Sequence, residues 1–217
     1  MTNLALKCVL AIGAEGYLEQ AAGNASGAAA RYAAAATAGA FFAEHAWAGG
    51  HFQFIYNASW AGSYGLMYNA LWARLLGLTG LIPGFTERFD AHFAFLANVT
   101  ANATWCTPLS SIEHDSKWDW LISTAALQYT NGSAPAPGAW SQRTFDSLFF
   151  FANTTSSRFP LSDHPSCIGA FPPVAAADRA RPVLGAFYAP LLVAQPALEV
   201  RLQHAAIRAA SAGWWKE

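Results

Sequence analysis

Apolar positions recur at helical spacing along most of the chain. Leu6, Val9, Leu10 and Gly13 fall at i, i+3, i+4 and i+7, which predicts a first helix over residues 3–22. Gly23-Asn24 ends it, and Ser26 is placed to cap a second, alanine-rich helix over residues 27–47, stopped by Gly49-Gly50. Residues 51–56 are short and aromatic and read as a small strand or an extended loop. A third helix is predicted over 64–76, and a fourth from Pro83, where a first turn tolerates proline, to Asn98. A long polar loop over 98–116 leads into a fifth helix over 118–129 and a sixth over 140–153, with Phe145, Leu148, Phe149 and Ala152 on one face. Residues 154–178 hold Pro160, Pro165, Pro172 and Pro173 and are too rich in proline for a helix. A seventh helix follows over 180–194 and an eighth from Pro196, with Leu198, Leu202, Ala206 and Ala209 on one face.

The pattern predicts an all-α chain of about four helical hairpins in a single domain over residues 1–217. The longer loops follow the second, fourth and sixth helices, so they share one end if hairpins stack around an axis. That end would carry the site.

The stretch Lys117-Trp118-Asp119-Trp120 stands at the junction of polar loop and fifth helix. It puts Asp119 in a first helical turn, where a carboxylate is favoured by free N–H groups and the helix dipole. Indole faces beside a positioned acid suit a sugar or a small polar substrate, and Trp118 and Trp120 are the candidates for it. Asp163, in the proline-rich loop, is the best second carboxylate. One acid and one base facing a substrate suit hydrolysis by water, of an amide or of a glycosidic bond. The competing reading makes Asp163 a turn residue paired with Arg158. Lys117 binds a substrate carboxylate or lies solvated. Arg181 opens a helix, where a cation is disfavoured, so it calls for an acidic partner or a ligand anion.

Composition narrows the function classes. Only 12% of residues are charged and 54% are hydrophobic, which implies extensive burial, and a net charge of −1 argues against nucleic acid or an anionic membrane as partner. The alanine-rich run is broken by Arg31 and too weakly apolar to span a bilayer. Glu113-His114-Asp115 lacks the spacing of a metal site, so neither a metal nor another cofactor is expected.

Six of the eight asparagines sit in Asn-x-Ser/Thr triplets: Asn24, Asn57, Asn98, Asn102, Asn131 and Asn153. Chance predicts roughly one, so these read as glycosylation sites on surface loops of a secreted chain. No signal peptide is recognisable, and three cysteines (Cys8, Cys106, Cys167) leave at least one thiol without a partner within the chain. Together these suggest a protein whose N-terminal segments are missing here and would be partners of this one.

Four segments carry a family resemblance. Ser63-Tyr64-Gly65-Leu66-Met67-Tyr68-Asn69 resembles the Ser-aromatic-Gly-Leu-Met-Tyr-Asn motif of the fungal glutaminase A family. Lys117-Trp118-Asp119-Trp120 before Thr124-Ala125-Ala126 is similar to its Lys-x-Asp-Trp segment, Arg158-Phe159-Pro160-Leu161-Ser162-Asp163 to its Arg-x-Pro-x-(Ser/Thr)-Asp segment, and Ala180-Arg181-Pro182-Val183-Leu184-Gly185 to its Ala-Arg-Pro-Val-Val-Gly segment. The order is that of the family. The resemblance implies a partial (α/α)6 toroid of six-hairpin glycosidase type, and Tyr64, Asn69, Lys117, Trp118, Trp120, Arg158 and Arg181 as substrate-binding residues around Asp119 and Asp163. It implies hydrolysis of the side-chain amide of glutamine, or a glycosidase-like ancestry.

The chain departs from the family pattern in four places. The Asp-Gln pair expected before the first motif is Ala61-Gly62, an Asp after Pro-Leu is Ser110, a Glu is Leu121, and a Gly-His is Ala186-Phe187. Each removes or weakens a polar group of the kind on which charge-based catalysis relies. Three expectations follow: a glutamine amidohydrolase, a carbohydrate-active or sugar-binding toroid, and a non-catalytic truncated remnant.

Overall fold

The computed structural model describes residues 1–56, 58–101, 106–129, 135–154, 162–167, 175–179 and 182–193. Helix α1 (Thr2–Ala21) and helix α2 (Ala25–His45) form an antiparallel hairpin. Gly23 supplies the left-handed turn between them (φ 83°), a conformation that costs a glycine no Cβ clash. The cap of α2 is Asn24 rather than Ser26: its side-chain oxygen accepts the Gly27 N–H at 3.0 Å. Small residues bring the hairpin close to its neighbours. At Gly39 a side chain would run into the backbone carbonyl of Leu81.

The third helix is far shorter than its apolar spacing predicts. Helix α3 covers only Ala70–Leu75. The preceding Tyr64–Leu66 stretch is extended because its backbone pairs elsewhere: Leu66 N–H donates to Leu109 O at 2.8 Å and Ser111 N–H to Tyr64 O at 3.0 Å. Helix α4 (Phe85–Val99) follows a left-handed Gly84 and buries Phe85, Phe89, His92, Phe93 and Leu96 on one stripe. Arg88 ties its start to the end of α2, with Nη1 on Ala43 O at 2.9 Å and the guanidinium 5.0 Å over the Trp47 ring. Helix α5 (Trp118–Ala125) tightens into a 3-10 turn at Ala126–Gln128, and α6 (Trp140–Thr154) packs on α5 and on α4.

Two expectations for the later chain are corrected. The proline-rich loop contains a short antiparallel ribbon, β1 (Ser162–Pro165) with β2 (Ala175–Arg179), in register Ser162↔Arg179 and His164↔Ala177. Pro165, the last residue of β1, is tolerated there because each strand of a two-strand ribbon has an edge with no ladder to lose. The seventh helix is a 3-10 segment, Pro182–Tyr188, followed by α7 (Ala189–Val193). The eighth predicted helix lies outside the described residues.

The helices alternate between two layers. Helix α1 packs on α3, α3 on α5 and α5 on α7, while α4 packs on α6. Odd helices follow one another as neighbours, as alternate helices of an α/α toroid do. The main core runs from Leu6 and Phe42 through Phe89 and Phe93 to Trp118, Trp140 and Phe151, with a satellite of Leu71, Leu75, Ala126, Ala189 and Val193. No helix among the described residues is long and apolar enough to cross a membrane.

Candidate active site

Helices α1, α3 and α5 begin around one cleft. A cleft of about 490 Å³ opens among their first turns, lined by Thr2 and Asn3 of α1, by Tyr68 and Asn69 before α3, and by Trp120 of α5. The segment before α5 adds Ser110 and Glu113. The α1 and α3 starts are stitched together: Asn69 N–H donates to Asn3 Oδ1, and Asn69 Nδ2 to the Asn3 carbonyl, both at 3.2 Å. Tyr68 and Trp120 stack with ring centroids 4.3 Å apart at 16°.

Asp119 and Asp163, 44 positions apart, are brought together behind this aromatic wall. Asp119 sits in the first turn of α5, and Asp163 on β1. Both side chains are buried. Burial first, and then the neighbouring Asp163 charge, push the Asp119 carboxyl above its ordinary range, against the pull of the Trp120 N–H and Lys117. Its Oδ1 makes no hydrogen bond to the protein. Lys117 Nζ lies 3.7 Å from Asp163 Oδ2 and 5.8 Å over the Trp120 ring. Lys117 is therefore largely buried beside Asp163, not solvated.

The strand bearing Asp163 is held to the segment leading into α5 by a covalent and a backbone tie. Cys106 and Cys167 form a disulfide, both half-cystines buried, and Cys8 is a free, exposed thiol. Ser116 N–H donates to Pro165 O at 3.0 Å and Cys167 N–H to His114 O at 2.9 Å.

Consecutive helical residues point about 100° apart, so Trp118, Asp119 and Trp120 cannot share one wall. Trp120 faces the cleft, whereas Trp118 is fully buried against Phe151 at 5.4 Å. Tyr64 is also in the core, edge-on to Phe95 at 6.1 Å, with burial pushing its phenol up to about 12. Neither is placed where a ligand in the cleft would touch it. Asn69 does line the cleft. Arg158, Arg181, Asn57, Asn102 and Asn131 lie outside the described residues. Asn24 is exposed at the α1–α2 turn, while Asn98 and Asn153 are exposed in the last turns of α4 and α6 rather than on loops. Among the described residues no group of three His, Cys, Asp or Glu side chains could hold a metal ion.

Asn3 and Tyr68 join the site with no local signal in the sequence. Asn3 looked like an ordinary first-turn residue, and no local pattern announces a bond across 66 positions. Tyr68 lies within the Ser63-to-Asn69 motif, but its stacking on Trp120 needs the third helix to start late. No curated protein and no solved structure matches the chain. The model of the glutaminase A six helical-hairpin domain matches residues 1–191, and the chain belongs to that family.

Proposed function

We propose that this is the hydrolase domain of a secreted glutaminase, converting the side-chain amide of a small substrate, glutamine, to a carboxylate and ammonia. One observation carries the reading. Asp119 is a buried carboxyl of raised proton affinity, with Oδ1 uncommitted, one residue from the wall of a cleft.

As a base, Asp119 takes a proton from a water whose oxygen bonds to the amide carbon. The same proton then passes to the nitrogen, the carbon–nitrogen bond breaks, and ammonia leaves. Asp163 and Lys117 set the field in which Asp119 works; the scheme calls on no cofactor. The Cys106–Cys167 bond and the six Asn-x-Ser/Thr triplets support a chain made in an oxidising compartment. A carbohydrate substrate is the second reading, favoured by the Tyr68–Trp120 pair, which offers the kind of flat aromatic surface on which sugars stack.

Asp119→Asn tests the reading. The variant should lower ammonia release from glutamine by about 10² to 10⁴-fold, the usual weight of a general base. It should also melt higher than the parent at neutral pH. A carboxyl whose proton affinity rises on folding binds more protons native than unfolded, so ionising it costs native stability as pH rises. Unchanged ammonia release in Asp119→Asn ends the assignment. Cleavage of oligosaccharides without ammonia from glutamine turns it to the second reading.

A further inference from the structure

Sequence spacing puts Phe145, Leu148, Phe149 and Ala152 of α6 on one face, but the helix does not bury them together. Phe145 and Leu148 pack against the core, whereas Phe149 is 73% exposed, more than any other large apolar side chain among the described residues. Ala152 is exposed as well. One exposed apolar side chain is ordinary on a protein surface. What sets Phe149 apart is its neighbour one turn on, Asn153, which opens the triplet Asn153-Thr154-Thr155.

Asn153 is the last residue but one of α6 and is exposed, and its Nδ2 donates to the Phe149 carbonyl at 2.8 Å. That bond lays the side chain back along the helix. Helical side chains lean toward the N-terminus in any case, so a group carried by Asn153 lies over the turn that holds Phe149.

We propose that Asn153 carries an N-linked glycan whose first sugar covers the Phe149 ring. Transfer from a lipid-diphosphate oligosaccharide forms a bond between Nδ2 and C1 of that sugar; Nδ2 gives up one proton, and the lipid diphosphate leaves C1. The second Nδ2 hydrogen remains, so the bond to the Phe149 carbonyl is kept and holds the sugar at the ring. The C–H face of a sugar is slightly positive and the face of an aromatic ring slightly negative, so the two attract while apolar area leaves water. Asn98 offers the contrast. It too is exposed in the last turn of its helix, but the residue four positions back is Ala94, and Phe95 is already stacked on His51. A glycan there has no bare ring beneath it. The proposal rests on the secretory route put forward above and on nothing in the cleft.

The test uses the chain secreted from a eukaryotic host. Peptide mass mapping before and after enzymatic release of glycans should show Asn153 occupied. Thr155→Ala, which destroys the triplet and keeps Asn153, should lower the melting midpoint by about 2–4 °C, the effect of one modest contact in a chain of this size. It should also raise binding of the dye ANS, as should release of glycans from the folded parent. Phe149→Ser should cancel these effects: in that background Thr155→Ala should change neither the midpoint nor dye binding, since groups in contact do not add. Asn98→Gln should leave dye binding as in the parent. Glycans on other asparagines with Asn153 bare overturn the proposal and keep the secretory reading; no glycan anywhere removes both. An occupied Asn153 whose loss costs the same with and without Phe149, or no more than loss of the Asn98 glycan, overturns the covering role.

Discussion

The α1–α2 hairpin is held by small residues and apolar stripes. Gly13, Gly16, Ala35 and Gly39 let its helices and the 3-10 turn at Thr79–Leu81 approach closely, and its ion pair of Arg31 with Glu15 at 2.9 Å is half-exposed and worth little. The tract from Cys106 to Cys167 is held differently. Its described residues include helices α5 and α6 and strand β1, its ends are tied by a disulfide, and it buries Asp119, Asp163, Ser110, Ser116 and Thr124 in the same region as its tryptophans. The first region has little polar burial to satisfy. The second concentrates it, and the candidate site is there. Buried carboxyls disfavour folding unless their surroundings are fixed by something else, and here the disulfide and the backbone bonds between loop and strand do the fixing.

This contrast can be broken in three ways. The largest effect should come from the disulfide. Replacing Cys106 and Cys167 with alanine opens a loop of 61-residue separation and should cost about 2–5 kcal/mol by denaturant titration. Amide exchange should then rise around β1 and the start of α5 while α1 and α2 stay protected. Equal loosening of both regions would show that the contrast is false.

Acid comes next. His92, fully buried in α4, accepts the Phe52 N–H at Nδ1 (3.3 Å), and burial, then His51, push its imidazole down to about 3. The unfolded chain takes up this proton near the ordinary value of 6.5, the native chain only near 3. Stability from this group is therefore complete above pH 6.5 and lost as pH falls toward 3, at about 1.4 kcal/mol per unit. His51, stacked on Phe95 at 3.7 Å and also lowered by burial, acts in the same direction; Asp119 opposes them. Denaturation midpoints at several pH values should flatten in His92→Gln. Unchanged slopes would take His92 out of the account.

The smallest effect sharpens the hairpin side. An alanine in a helix is ordinarily better than a glycine, but at Gly39 its Cβ would meet the Leu81 carbonyl. Gly39→Ala should cost about 1–3 kcal/mol as overpacking does, whereas Gly62→Ala, with open space around it, should change little. A stabilised Gly39→Ala would mean that the close approach is relieved at no cost.

Helices α1, α2, α4 and α6 were legible from apolar spacing, capping residues and glycine stops, to within about two residues at most ends. The shortening of α3 was not. Tyr64, Leu66, Met67, Leu71 and Leu75 keep helical spacing, yet the first two are drawn into extended pairing with residues 109–111, which are distant in the chain. The ribbon β1–β2 was hidden by prolines that exclude helix without excluding a short edge strand.

The amino-acid order determined the helix-forming faces, the first-turn position of Asp119 and the family motifs, because these depend on neighbours within a few residues. Only the tertiary structure decided that Asp163 lies close enough to raise the proton affinity of Asp119, that Trp120 rather than Trp118 meets the cleft, and that Cys167 rather than Cys8 pairs with Cys106. These are distances between segments far apart in the chain. Local spacing carries no information about them until the helices have packed.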